Sequence, residues 1–456
     1  MTNRVLGAAL LVAASLCESG CSTRPVNAPI DRVDPTRGYR PALHATRKHR
    51  DDTQILVTFS GGGTRAAAFA YGVLEELRRT QVDADVDPHA LIDDVDLLIG
   101  VSGGSFTALA YGLEGDQLFE DFPDRFLKRD VQGELIARAA NPLHWGTLMS
   151  RGGGRSELAA DYYDEIVFRG STFADLQAKP GPYVIATATD ISTGARLSFS
   201  QADFDMICSD LSSVRLSRAA ATSSAVPVVL SPVTFDNHGG HCGYVPPTWV
   251  SDVDPAGEQA SVGRLRQRLR DIRKFERGDQ RPFLHLVDGG VADNLGLRAI
   301  LERFMEAEFS QNFRSELKIE KLRRTLLIVV NARSDPATNW DRSEDGPGAV
   351  DLLLKSISVP IDHESDESLA LMRDLMARWK RTGSGPVPAA SPKFFAVDVN
   401  FDDLPDVAER ASLMAISTSF SLPSSEVDHL RTAAARALKT SASFQAFLAD
   451  LKEKSR

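Results

Sequence analysis

The stretch "ILVTFSGGGTRAAAFAYGVLEEL", Ile55 to Leu77, passes from an apolar strand pattern through three glycines into a helix pattern. Glycine at such a junction lets backbone N–H groups approach a ligand closely, and a helix N-terminus favours negative charge. The stretch therefore predicts an anion-binding loop, and the anion is either a phosphate or the oxyanion of a reacting ester. No Gly-Lys-Ser/Thr follows the glycines, which excludes a P-loop, and Ala66 breaks the glycine spacing of a dinucleotide fold.

The composition predicts one large α/β domain with additions. The chain has 456 residues, of which 43% are hydrophobic and 25% are charged. The net charge of −10 argues against nucleic acid as the main partner. Apolar strand patterns separated by helical segments predict a largely parallel central sheet flanked by helices. Besides the opening strand, these patterns cover Asp96–Val101, Tyr183–Asp190, Phe283–Val287 and Thr325–Ala332.

Residues 1–20 resemble a bacterial lipoprotein signal peptide. An apolar run from Val5 to Leu16 is too short to span a bilayer, and the small residues Ser19 and Gly20 directly precede Cys21. We expect the chain to be exported and Cys21 to carry a lipid anchor in the cell envelope. In a bacterium with two membranes, this placement means the outer membrane or the periplasm.

The remaining chain divides into three predicted parts. Residues 21–52 are polar and contain prolines, which predicts a flexible tether. Residues 53–332 form the catalytic domain, with a helical insertion at about 255–280. In that insertion, the arginine-rich Val262–Arg277 predicts a surface helix that packs one apolar stripe on the core; the alternative is a basic lid that contacts anionic lipid. Residues 333–456 are predicted to be a C-terminal helical extension.

The cysteines give information on the redox state of the compartment, and Cys242 lies in a segment with residue types that bind metals. If Cys21 carries lipid, then Cys208 and Cys242 remain as an even pair, which makes a disulfide feasible in an oxidising compartment. The segment Asp236–Tyr244 contains residue types that bind metals, but its spacing matches no standard zinc site. We therefore expect neither a metal nor an organic cofactor.

The segment "GVSGGS", Gly100 to Ser105, contains a G-x-S-x-G motif between a strand pattern and a helix pattern. This is the context in which the motif forms a sharp turn that exposes the serine hydroxyl. Glycines such as Gly100 and Gly104 leave room for that turn. Ser102 is therefore the candidate nucleophile.

A serine hydroxyl needs a base, and no histidine occupies a convincing position. His363 and His429 are late in the chain but lie in helical patterns, and His285 lies within a strand pattern. Asp288 in "LVDGGVADN" follows a buried strand at its carboxyl end, where catalytic groups of parallel sheets lie. Asp288 is therefore the better candidate for the base.

Together, "SGGGTR", "GVSGG" and "DGG" resemble the motifs of the patatin-like phospholipase family, and the resemblance runs from about Gln54 to Leu301. The resemblance implies a serine–aspartate dyad in which Ser102 is the nucleophile and Asp288 the base. It also implies an oxyanion hole formed by Gly61, Gly62, Gly63 and Arg65. The glycines that support the other two motifs are Gly100, Gly104, Gly289 and Gly290. Ala66 stands where the family's loop usually has a further glycine.

The favoured hypothesis is a membrane-anchored hydrolase that cleaves acyl esters of phospholipids or lysophospholipids. Two alternatives stay open: a non-catalytic envelope lipoprotein that binds lipid, and an esterase that acts on soluble short-chain esters. The sequence leaves the head group, the acyl position and the oligomeric state undetermined.

Overall fold

The structure is a computed structural model that describes residues 24–83, 87–150, 152–247, 249–252, 260–310, 315, 321–338, 340–382 and 392–453. The signal peptide and Cys21 lie outside the described residues. Within the described residues, no helix combines the length and the apolar composition needed to cross a bilayer.

A single mixed sheet organises the chain. Its parallel part has the order β10-β9-β1-β4-β5, which confirms the prediction of an α/β fold with a largely parallel sheet. Three further strands join this sheet in antiparallel pairings, and two short strands form a separate ribbon. The strands are β1 (Thr53–Phe59), β2 (Gln81–Val82), β3 (His89–Ala90), β4 (Leu97–Val101), β5 (Tyr183–Asp190), β6 (Ala195–Ser198), β7 (Val233–Asp236), β8 (Phe283–Asp288), β9 (Arg324–Val330) and β10 (Lys393–Val399).

The register on β5 brings the carboxyl ends of two strands together. β4 pairs with residues 183–187 of β5, whereas β8 pairs antiparallel with residues 188–190. β6 pairs with residues 187–190 and therefore occupies the opposite edge from both. Hence β4 and β8 share one edge of β5, and their carboxyl ends meet there head to head. Val101 pairs with Thr187, and Asp288 pairs with the next residue, Ala188.

Helices cover the sheet. They are α1 (Gly63–Arg79), α2 (Gly103–Glu114), α3 (Leu118–Phe122), α4 (Val131–Ala140), α5 (Trp145–Met149), α6 (Arg155–Tyr163), α7 (Phe173–Gln177), α8 (Gln201–Met206), α9 (Leu216–Ser223), α10 (Trp249–Asp252), α11 (Ala260–Phe275), α12 (Gly290–Asp293), α13 (Leu297–Phe309), α14 (Ala349–Thr382), α15 (Val407–Met414), α16 (Ser424–Thr440) and α17 (Ala442–Glu453). Almost every residue of α1 is buried, because sheet and helices enclose it on all sides.

The C-terminal part of the chain belongs to the same domain. β10 extends the central sheet beside β9, and α16 packs directly on α1. The contact with α16 is so close that a Cβ on Gly72 would lie 2.3 Å from the carbonyl oxygen of Arg431. The prediction of a purely helical extension over 333–456 is therefore wrong, since this segment supplies a strand and part of the core.

Residues 24–52 are packed on the domain, so the prediction of a flexible tether is wrong for the described part of it. Asn27 donates a hydrogen bond of 2.7 Å to the Ser209 hydroxyl. The Tyr39 side chain is buried, and its hydroxyl donates a 2.9 Å hydrogen bond to the carbonyl of Val184. Specific hydrogen bonds therefore hold a segment whose composition predicted no order.

The basic helix α11 packs as the favoured interpretation predicted. Its apolar residues Leu265, Ile272 and Phe275 are buried in the core. Arg268 also points inward, where its guanidinium donates a 2.9 Å hydrogen bond to Asp203. At least this arginine is unavailable to anionic lipid, which weakens the alternative of a basic lid.

Cys208 and Cys242 form a disulfide with a Cα–Cα distance of 5.5 Å, which confirms the pairing inferred from the sequence. The bond joins the turn after α8 to the loop after β7.

Replacing both cysteines by alanine is expected to lower the free energy of unfolding by about 3–4 kcal/mol, because the bond closes a loop with a sequence separation of 34 residues. Denaturant unfolding of the double variant and of the parent protein with and without reductant measures this. The parent should lose a similar amount on reduction, and the variant should not respond to reductant. A parent whose stability is insensitive to reductant would contradict the prediction.

Candidate active site

Ser102 occupies a strained turn between β4 and α2. Its backbone has φ of 50° and ψ of −121°, a conformation that costs energy for any residue other than glycine. Two neighbouring glycines make the turn sterically feasible: a Cβ on Gly100 would lie 2.5 Å from the Cα of Ser105, and one on Gly104 would lie 2.7 Å from the Cβ of Phe59. The structure therefore forms the turn that the motif predicted.

Asp288 lies beside Ser102 at the end of β8. Burial raises the pKa of its carboxyl group to about 6, while a hydrogen-bonding interaction with the Ser102 hydroxyl and the backbone N–H of Gly290 limit the rise. The N–H of Gly290 donates to Oδ1 at 2.8 Å. Both side chains are almost closed to solvent, with Ser102 4% and Asp288 6% exposed. A carboxylate in this environment is more basic than an exposed one and still largely ionised at neutral pH.

The C-terminal end of α9 holds both residues in place. The Ser102 N–H donates to the Ser223 hydroxyl at 2.9 Å, and the Asp288 N–H donates to the Ala225 carbonyl at 3.0 Å. The Gly289 N–H donates to the Ser223 carbonyl at 3.1 Å. The sequence analysis assigned no role to Ser223 and Ala225, which lie in the stretch "SRAAATSSAVPVVLSPV", Ser217 to Val233.

The glycine-rich loop runs alongside the serine. A Cβ on Gly61 would lie 3.2 Å from the Cβ of Ser102, and one on Gly103 would lie 2.0 Å from the carbonyl oxygen of Gly63. Within the described chain, the backbone N–H groups of Gly62, Gly63 and Gly103 have no hydrogen-bond acceptor. Gly103 also begins α2, whose helix dipole points its positive end at this position. Three amides without an acceptor among the described residues therefore lie in the two segments next to Ser102, and Gly103 was not among the predicted donors.

The structure corrects the role expected for Gly61. Its N–H donates to the carbonyl of Asn294 at 3.0 Å, so it cannot serve as an oxyanion donor. A Cβ at this position would lie 2.5 Å from the Oδ1 of Asn294, which explains why glycine is needed. Gly61 thus joins the glycine-rich loop to the segment that follows Asp288.

Arg65 anchors the loop. Its guanidinium is buried and donates to the carbonyls of Ala332 at 2.8 Å and Ile416 at 2.7 Å, and to the Thr418 hydroxyl at 3.2 Å. The resemblance groups Arg65 with the oxyanion hole, whereas these contacts give it an anchoring role. The N–H of Thr64 adds a 2.8 Å hydrogen bond to the carbonyl of Ser419.

The histidines considered as alternative bases have other partners. His285 pairs with the Thr234 hydroxyl at 3.1 Å, and His429 pairs with Glu409 at 2.8 Å. His363, the third histidine considered, is exposed on α14. Asp288 is therefore the candidate whose side chain interacts with the Ser102 hydroxyl.

The segment Asp236–Tyr244 is committed to other contacts. Asp236 forms a salt bridge with Arg24, and Cys242 is in the disulfide. A different group of metal-ligand residue types, His49, Asp87 and His89, lies in the segments before β1 and β4, and its potential ligand atoms lie within 4.8 Å of one another. These atoms already have partners: His49 Nδ1 pairs with the Asp87 carboxylate at 2.7 Å, and the two ring nitrogens of His89 pair with the Asp87 carbonyl and the Asp94 carboxylate.

The comparisons with known proteins agree with the motifs. A family model described as patatin-like phospholipase matches residues 57–301, which is more than half of the chain. No curated protein sequence matches the chain.

The solved structures that match the chain are distant in sequence. Human GIVD cytosolic phospholipase A2 is 14% identical, with a TM-score of 0.41, over 92% of this chain and 66% of that chain. Its complex with methyl gamma-linolenyl fluorophosphonate is 12% identical, with a TM-score of 0.42, over 89% and 60%. VipD from Legionella pneumophila is 10% identical, with a TM-score of 0.24, over 90% and 71%. The chain therefore spans less than two thirds of the length of the two human chains.

Gly103→Ala is expected to slow the reaction of Ser102 with a fluorophosphonate probe at least about 100-fold, the typical loss when one oxyanion donor is displaced. The new methyl group would collide with the carbonyl oxygen of Gly63 at 2.0 Å and separate the loop from α2. Labelling rates from intact-protein mass spectrometry measure this. Gly146→Ala is the matched control, because a Cβ there meets nothing within 4 Å. Equal labelling of both variants would contradict the expected role of this contact.

Proposed function

The chain belongs to the patatin-like phospholipase family, and we propose that this enzyme cleaves acyl ester bonds of phospholipids or lysophospholipids through an acyl-Ser102 intermediate. The observation that carries the proposal is the placement of the Ser102 hydroxyl against the buried carboxylate of Asp288, beside unengaged backbone amides. No metal or organic cofactor takes part in the proposed reaction.

In the first half of the reaction, Asp288 acts as general base. Its carboxylate takes the proton of the Ser102 hydroxyl while the oxygen of that hydroxyl attacks the acyl carbon. Because burial raises the pKa of Asp288 to about 6, the group accepts a proton more readily than an ordinary aspartate does. The tetrahedral intermediate then collapses, and the proton passes from Asp288 to the departing alcohol oxygen.

The negative charge of the tetrahedral intermediate needs donors that are already in position. The N–H groups of Gly62, Gly63 and Gly103 are the candidates, because no protein acceptor engages them in the described chain. Preorganised donors of this kind each contribute about 10²–10³ in rate. The second half of the reaction uses the same groups: a water molecule attacks the acyl-serine, gives its proton to Asp288, and Ser102 recovers that proton as the fatty acid leaves.

We also propose that the protein acts in the cell envelope, anchored through Cys21. Two observations support this location. The disulfide between Cys208 and Cys242 suits an oxidising compartment. The chain is packed on the domain from Arg24 onward, so a lipid on Cys21 would hold the domain close to the bilayer surface.

Ser102→Ala and Asp288→Asn are each expected to reduce acyl release by at least roughly 10³-fold, since the first lacks the nucleophile and the second cannot accept its proton. Fatty acid released from phosphatidylglycerol vesicles, and product from p-nitrophenyl butyrate, measure turnover on lipid and on a soluble ester. Asp279→Asn, whose side chain is 86% exposed, is the control and should be unaffected.

Substantial activity in Asp288→Asn would show that another group acts as the base. Turnover of the soluble ester without release from vesicles would favour the short-chain esterase instead. No turnover of either ester by the parent protein would favour a lipid-binding role.

The pH dependence of kcat/KM follows from the pKa of Asp288. Below about pH 6 the carboxyl group is protonated and cannot act as base, so kcat/KM should fall about tenfold per pH unit. Above that pH the carboxylate form predominates, and kcat/KM should level off by about pH 7. Initial rates at low substrate concentration from pH 4.5 to 8, roughly the range that brackets this pKa, measure the profile. A profile that stays flat down to about pH 4.5 would contradict the assignment of Asp288 as base.

A further inference from the structure

A cavity of about 300 Å³ lies outside the candidate active site. Three parts of the chain form its walls: the packed N-terminal segment, the region from α5 to α6, and the start of α9. Its volume is at the lower end of the range for small-ligand sites, roughly 300–1,000 Å³. The lining residues are Arg24, Pro25, Val26, Asn27, Thr147, Ser150, Gly153, Glu157, Ala160, Asp161, Ser213, Val214, Arg215, Ser217 and Arg218.

One arginine of the lining is loosely held. The lining contains three arginines and two carboxylates, and Arg24 is also paired with Asp236, which lies outside the lining. The buried Arg218 is held by Glu157 at 2.8 Å, which neutralises one of those carboxylates. Arg215 is held much less closely: it is 56% exposed at its side chain, and its guanidinium lies 3.8 Å from both Asp161 and Asp164. Arg215 is therefore the cation that can turn toward a ligand.

One buried hydroxyl group in the cavity wall has no hydrogen-bond partner among the described residues. Ser217 is 1% exposed, and its Oγ makes no hydrogen bond to any described residue. Ser217 is also the second residue of α9, so the positive end of the helix dipole lies at this wall. An unsatisfied buried hydroxyl costs free energy, and a bound ligand with hydrogen-bonding oxygens would remove that cost.

We propose that this cavity binds a phosphate group, either in the head group of an anionic phospholipid or as a free phosphate. Arg215 and the N-terminus of α9 supply positive charge, and the hydroxyl of Ser217 supplies a donor. Thr147, Ser150 and Ser213 add hydroxyl groups around the same space. A phosphate bound there would compete with both Asp161 and Asp164 for Arg215, and the 3.8 Å separation from each makes that exchange inexpensive.

The surroundings of the cavity favour a lipid head group over a free ion. Val26, which lines the cavity, is 65% exposed, and Leu143 and Met149 near the α5 wall are 88% and 81% exposed. Trp145, at the start of α5, is 47% exposed. Apolar side chains around a cationic pocket are the arrangement expected where a protein rests on a bilayer. The pocket also begins only three positions after Cys21, the proposed anchor.

Binding of inorganic phosphate and of glycerophosphoglycerol, the soluble head group of phosphatidylglycerol, tests the proposal. Isothermal titration of the full chain at matched ionic strength gives Kd for each. We expect Arg215→Gln to weaken binding at least tenfold and Ser217→Ala to weaken it at least threefold. Arg277→Gln removes an exposed arginine outside the cavity and should leave Kd unchanged. Thermal unfolding of each variant without ligand checks that it is folded.

The outcomes separate the sources. Tighter binding of glycerophosphoglycerol than of inorganic phosphate, with loss in Arg215→Gln, supports a phospholipid head group. The reverse order, with the same loss, supports a free phosphate. Absence of binding by both probes, or binding that Arg215→Gln and Arg277→Gln change equally, would overturn the site. None of these measurements depends on hydrolysis, so they stand apart from the proposed enzyme activity.

Discussion

The structure depends on two strands that meet head to head along one edge of β5. β4 occupies the first part of that edge and ends at Val101, and the antiparallel β8 occupies the rest and ends at Asp288. Because both carboxyl ends stop at neighbouring positions of β5, the residue after β4 and the last residue of β8 face each other. At this position on β5, beyond the end of β4, a strand parallel to β4 would have its carboxyl end directed away from Ser102. The antiparallel direction of β8 therefore brings Asp288 next to Ser102, although the two residues are distant in sequence.

This meeting point is held by backbone contacts more than by side chains. α9 engages the amides of Ser102, Asp288 and Gly289, and the Gly61 amide ties the glycine-rich loop to Asn294. Such close contacts leave no space for a side chain at Gly61 or Gly103, because a Cβ there would overlap atoms of Asn294 or Gly63. The strain at Ser102 persists because the surrounding hydrogen bonds fix the turn from both sides. Rigidity at the dyad thus arises from glycine and main-chain geometry.

The sequence predicted the parts of the fold that periodicity controls. The long apolar strands and the helix after the glycine-rich loop were found with small shifts at their ends. Asp288 was predicted at the carboxyl end of a strand in a parallel sheet. It does lie at the end of β8, but β8 runs antiparallel, and the short β6 and β7 carry too little pattern to reveal that register. β10 was missed because the helical patterns around it dominate the C-terminal segment. The docking of residues 24–52 depends on single contacts such as that of Tyr39, which composition does not encode.

α9 links the two sites by its direction. Its amino end, with Ser217, lies at the cationic cavity, and its carboxyl end, with Ser223, lies at the dyad. Eight residues span about 12 Å at the rise of an α-helix. The helix dipole therefore favours an anion at the cavity, while at the other end the Ser223 carbonyl and the Ala225 carbonyl just beyond it accept the amides of Gly289 and Asp288. The start of α9 thus adds positive potential at the cavity, and its end, together with Ala225, supplies hydrogen-bond acceptors behind the Asp288 carboxylate.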